Sequence, residues 1–198
     1  MKRDLVIRSC EEMLSATLYG NKANAGVVLC PPSPVKGGNR DDKRLVAIAE
    51  KLAQCSMLAL CFDYRAEYTD GLREVEDAIS AIDYLKERTG KVGLYGYAFG
   101  AVVASNAAIF REVDAIVFQA LLKHTDLISA RVDQTCPKLF IHSLRDEVAD
   151  IIDLEYLYKI AREPKQKLLM ETDHFYEDKI EELAEVVSAF FQKHLLSK

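Results

Sequence analysis

A chain of 198 residues, 49% apolar and 29% charged, has the size and composition of one globular domain with a full core, and is neither disordered nor fibrous. Its 31 acidic and 26 basic residues leave a net charge of −5, without the basic surplus of a general nucleic-acid or anionic-membrane binder. Five cysteines, an odd count with no Cys-x-x-Cys pair, argue against structural zinc and a disulfide framework. Reduced thiols in a cytoplasmic protein are the expectation, with no metal and no cofactor. The N-terminal apolar run is cut by Arg8 and is too short for a signal peptide.

Residues 5–8 and 13–19 read as two opening strands, close enough to pair antiparallel. Residues 26–30 form a short buried strand. A helix follows over 39–54, with Leu45, Ile48, Ala49 and Leu52 on one face and Asn39 or Asp41 as its cap. Residues 58–63 are a strand, and 70–88 an amphipathic helix with Leu72, Val75, Ile79, Ile82 and Leu85 inward. Residues 92–110 hold no charge over 19 positions, the length of a membrane span. Gly93, Gly96, Gly100, Ser105 and Asn106 instead divide the stretch into a strand (92–95) and a buried helix (98–110). Strands at 115–119, 138–142 and 167–171 alternate with helices at 148–161 and 176–194. Strands alternating with helices in this way predict a single α/β domain, 1–198, with eight strands in a mainly parallel sheet flanked by helices.

The segment Gly96-Tyr97-Ala98-Phe99-Gly100 joins a predicted strand to a predicted helix. Small residues at its ends suit a nucleophile elbow, where a sharp turn presents the central side chain and the next N–H starts a helix. The glycine spacing fits neither a dinucleotide turn nor a phosphate-binding loop. The central residue is Ala98, which has no hydroxyl and cannot form an acyl-enzyme. Asp146 follows the strand at 138–142, and His174 follows the last strand. Both loops leave the carboxyl edge of a parallel sheet, so Ala98, Asp146 and His174 are expected to share one crevice in the order nucleophile, acid, histidine.

With these residues, the 142–148 stretch His-Ser-Leu-Arg-Asp-Glu-Val, Asp173-His174-Phe175 and the 31–38 loop Pro-Pro-Ser-Pro-Val-Lys-Gly-Gly, the chain resembles the small α/β-hydrolases without a lid, close to the dienelactone-hydrolase-like esterases. The resemblance implies an α/β-hydrolase fold. It also implies that Asp146 orients His174, that His174 is the general base, and that Ala98 stands where the nucleophile belongs. Pro31-Pro32 departs from the His-Pro or His-Gly with which relatives commonly begin that loop.

An oxyanion hole needs two backbone N–H groups. Phe99 would supply one. Prolines have none, so Ser33 is the first donor in the 31–38 loop. Ala120 and Pro137 are only 17 positions apart, which leaves no room for a helical lid and favours an open cleft. Tyr97, Tyr64 and Leu121 are expected to bind substrate, with Tyr68, Leu122 and His124 nearby. Arg65 is read first as half of a structural ion pair.

Three functions fit. One is an esterase-type hydrolase of small ester or related acyl substrates whose nucleophilic Ser is replaced by Ala98, leaving it inactive as written. The second is a naturally Ala-bearing homologue that binds a small ligand or a protein partner. The third is an Asp146–His174 dyad acting as a general base without a nucleophile. The substrate class is a small ester-type molecule, with no nucleic acid and no membrane.

Overall fold

The computed structural model describes residues 1–196. Eight strands form one sheet in the order β1-β2-β4-β3-β5-β6-β7-β8. They are β1 (Lys2–Ser9), β2 (Glu12–Tyr19), β3 (Ala25–Cys30), β4 (Leu58–Phe62), β5 (Lys91–Tyr97), β6 (Ala115–Gln119), β7 (Lys138–Arg145) and β8 (Lys165–Asp173). The pairs β1–β2 and β2–β4 are antiparallel, and all others are parallel.

The period of two sorts each central strand between two cores. In β3, Val28 and Cys30 face the side covered by α2 (Leu72–Lys86), α3 (Phe99–Phe110) and α4 (Ile151–Ile160). Val27 and Leu29 face the side covered by α1 (Lys43–Gln54) and α5 (Ile180–Phe191). The strands between the edges carry apolar side chains on both faces, as a sheet with helices on both sides requires. No helix among the described residues is long and apolar enough to cross a membrane. The uncharged stretch is β5, a turn and α3.

The element order matches the sequence reading, and the main differences lie at the ends. Helix α1 starts at Lys43 rather than at 39. Asn39 Oδ1 accepts the Asp41 N–H and Asp42 Oδ1 the Arg44 N–H, so the short side chains satisfy the backbone before the helix begins. Helix α2 starts at Leu72 because Asp70 (φ 52°) and Gly71 (φ 105°) are left-handed. Leu72, expected inward, is exposed. Helix α4 starts at Ile151 behind its own cap, Asp150, which frees Asp146 from a capping role. Helix α5 is preceded by a 3-10 turn at Glu177–Lys179, because Tyr176 (φ 55°) is left-handed. Strands β7 and β8 run longer than expected because they pair with each other past a register shift between Ser143 and Arg145.

Candidate active site

The turn from β5 into α3 is set by what its glycines exclude. A Cβ on Gly96 would lie 2.3 Å from the Gly100 carbonyl oxygen. One on Gly100 would lie 2.3 Å from the Pro31 oxygen and 2.4 Å from the Cys30 oxygen. Both are well inside contact distance, so only glycine lets the helix start against the strand and against the loop that follows β3. Ala98, between them, has φ 51° and ψ −114°. An L-residue rarely adopts that region, which costs on the order of 1–3 kcal/mol. The surroundings hold it there: its N–H donates to the Gln119 oxygen (2.9 Å) and its oxygen accepts from Ala101 N–H (3.0 Å).

Asp146 and His174 meet from the ends of β7 and β8. His174 Nδ1 is 2.9 Å from both Asp146 carboxylate oxygens. An ionised carboxylate only accepts, so the ring proton sits on Nδ1 and Nε2 is left as the basic nitrogen. Asp146 Oδ1 also accepts the N–H groups of Val148 (2.9 Å) and Ala149 (2.7 Å). Burial by itself would raise the Asp146 carboxyl, but His174 and these two amides outweigh it and hold it below the ordinary carboxylate value.

The turn carrying His174 is built by Asp173, whose Oδ1 accepts the N–H of Phe175 (2.9 Å) and of Tyr176 (3.2 Å). The His174 ring lies 5.4 Å from Tyr97, tilted by 35°, and 5.6 Å from Phe175, edge-on at 86°. Tyr97 Oη donates to the His174 carbonyl at 2.9 Å. Burial pushes the Tyr97 phenol up, so it remains a neutral donor.

Ala98, Phe99, Tyr97 and His174 line one open cleft of about 480 Å³, together with Ser33 and the 36–38 turn. Tyr68, Leu122 and His124 line it as well, as do Val148 and Phe175. Phe99 is the first residue of α3, so its N–H has no intrahelical acceptor. Ser33 caps the 3-10 turn Pro34–Lys36. Both residues line the cleft, and the tight approach of Gly100 to Pro31 holds the start of α3 against the 31–38 loop.

Two residues expected to bind substrate do not line the cleft. Tyr64 is buried beneath it, where its hydroxyl donates to the Pro31 carbonyl (3.3 Å) and its ring packs edge-on against Phe99 at 5.9 Å. It supports the 31–38 loop from behind. Leu121 turns into the core on the α2–α3 side, and its neighbour Leu122 takes the lining position. Arg65 is buried against Asp77 at 2.6 Å and away from the cleft, in agreement with the ion-pair reading.

The sequence reading missed Arg44 and Asp42, which line the cleft at the start of α1. Arg44 stands four and eight positions before the core residues Ile48 and Leu52. A cation on the inward stripe of a helix was the signal.

The segment between β6 and β7, residues 120–137, carries no helix, only an isolated bridge between His124 and Ser129. No family model matches the chain, and no curated protein matches it. Solved structures do. An α/β serine hydrolase without a lid from Xanthomonas campestris is 17% identical, with a TM-score of 0.86 over 100% of this chain and 96% of its own. Dienelactone hydrolase from Anabaena variabilis is 22% identical, with a TM-score of 0.82 over 98% of both chains. An esterase from Pyrococcus furiosus is 16% identical, with a TM-score of 0.84 over 98% of this chain and 92% of its own. The chain therefore has the α/β-hydrolase fold in its form without a lid.

Proposed function

We propose that the cleft is an esterase-type site for a small ester or related acyl substrate, in which Asp146 and His174 form the acid–base pair and Ala98 occupies the nucleophile's place. The observation that carries this reading is the backbone of Ala98. A strained alanine gains nothing from φ 51° and ψ −114°, yet it holds that conformation on the wall of the cleft that also carries His174, whose ring is hydrogen-bonded to Asp146 buried behind it. The solved structures of like fold include esterases and a dienelactone hydrolase, which supports the substrate class.

With a hydroxyl at position 98, His174 Nε2 would take its proton as the oxygen bonds to the acyl carbon. The carbonyl oxygen would take up the charge against the N–H groups of Phe99 and Ser33. The imidazolium would return the proton to the departing alcohol. A water, deprotonated by the same nitrogen, would then release the acid. With Ala98 the first bond cannot form. The Phe99 and Ser33 donors and binding alone leave a residual on the order of 10³–10⁴-fold over water. The chain as sequenced thus binds the substrate without forming an acyl-enzyme.

Ala98 also favours a second reading, a homologue that binds a small ligand or a protein partner and has no turnover. The experiment that separates the two is hydrolysis of short-chain nitrophenyl esters by the Ala98→Ser variant. The esterase reading expects activity that His174→Ala lowers by about 10⁴-fold or more. A folded Ala98→Ser variant that stays inert across an ester panel leaves the binding reading.

A further inference from the structure

The acid–base pair and the elbow do not account for the arginine buried beside them. Arg44 is buried, and its guanidinium makes a fork of contacts. Nε donates to Asp42 Oδ1 at 2.8 Å, and Nη2 pairs with Asp42 Oδ2. Nη1 donates to Tyr97 Oη at 3.1 Å and to the Phe175 carbonyl at 3.0 Å. Its Cζ lies 4.4 Å from the centre of the Tyr97 ring. A buried ion pair adds little net stability once both charges are desolvated, so Asp42 alone does not explain an arginine here.

The direction of the bonds is informative. A phenol has one proton, and Tyr97 gives it to the His174 carbonyl. Arg44 can only donate, so the chain runs Arg44 to Tyr97 to His174, with a fixed charge at its head. Arg44 also grips the next carbonyl, that of Phe175. The loop carrying the base is thereby tied at two successive carbonyls. Both ties lead through or past Tyr97, the residue immediately before Ala98. Two loops from different strands, the elbow after β5 and the histidine turn after β8, are locked to each other by one guanidinium.

We infer that Arg44, acting through Tyr97 and the Phe175 carbonyl, is a positioning residue that fixes the His174 imidazole relative to position 98. This inference rests on the esterase-type reading of the cleft. Lysine cannot replace Arg44, because an ammonium lacks the planar fork that reaches Asp42, Tyr97 and Phe175 together.

Tyr97→Phe is the sharpest probe, since it keeps the ring and its packing and removes only the link. It is made in the Ala98→Ser background and in the unmodified chain. In the first, kcat on a short-chain nitrophenyl ester should fall roughly 10- to 100-fold with KM within about two-fold, the size expected for a small misplacement of a reacting group. Arg44→Gln and Arg44→Lys should give the same split. In the unmodified chain, the proton NMR signal of the His174 Nδ1–H should broaden or move in Tyr97→Phe while the thermal unfolding temperature changes little. An unchanged kcat in an active Ala98→Ser background overturns the inference. If Ala98→Ser is itself inert, the esterase reading fails on its own. The inference then stands or falls on the ring signal, and a signal that Tyr97→Phe leaves in place overturns it.

Discussion

At the scale of single residues, the cleft is shaped more by what is missing from side chains than by what is present. Gly100 has no Cβ, and one placed there would lie 2.3 Å from the Pro31 oxygen, so only glycine lets α3 begin against that loop. Gly100→Ala should lower stability by about 2–3 kcal/mol, because neither the helix start nor the loop can move without disturbing the other. A denaturant titration against the parent measures this. Asp146 gives a pH-dependent counterpart. Its carboxyl is held below the ordinary value of 3.8 in the folded chain, so its bonds stabilise the fold above the unfolded value and are lost as pH falls through the folded one. Asp146→Asn should therefore be less stable than the parent at pH 7. The gap should narrow below pH 3.8, and a gap independent of pH would contradict the assignment of an ionised Asp146. The three residues Ala98, Asp146 and His174 were legible in the sequence because their chain order and loop positions are unusual together. Tyr64 and Leu121, expected at the cleft, lie beneath it and in the core, because sequence shows that a residue ends a strand, but not which way the chain turns next. At the end of β6, Ala120 takes φ 47°, and Leu122 rather than Leu121 lines the cleft.

At the scale of elements, the strands and helices followed from apolar periodicity, whereas their ends followed from local polar bonds that periodicity does not register. Asp42, Asp150 and Glu74 each satisfy backbone N–H groups at a helix start. Each sets a first turn two to four residues later than the apolar pattern alone would place it. The same kind of polar detail joins elements far apart in sequence. Arg65, just after β4, donates to Asp77 of α2, and Asp77 also accepts from Ser9 of β1 at 2.8 Å. Both charged side chains are almost fully shielded from solvent. Arg65→Met leaves Asp77 charged and buried, and should cost about 3–5 kcal/mol. In an active Ala98→Ser background it should leave KM for the ester unchanged, since Arg65 lies away from the cleft. A shift in KM, measured at a temperature where the variant is folded, would place Arg65 in the binding surface instead.

At the scale of the whole molecule, the sheet order brings the carboxyl ends of β3, β5, β7 and β8 to one edge, and each contributes one part of the cleft. Strand β3 leads to the Ser33 loop, β5 to Ala98 and Phe99, β7 to Val148 and to Asp146 buried behind His174, and β8 to His174. Ligands collect at that edge of parallel sheets because every connecting loop there has backbone and side chains to offer. With a segment of only 120–137 between β6 and β7, the cleft stays open. The cleft is proposed above as a serine-hydrolase site lacking one oxygen. The most direct measurement exposes the chain and its Ala98→Ser variant to a fluorophosphonate and reads the attachment site by mass. A covalent adduct is expected on residue 98 of the Ser form, none on the unmodified chain, and loss of the adduct when His174 is also changed to Ala. A folded Ser form that stays unlabelled would contradict this proposal.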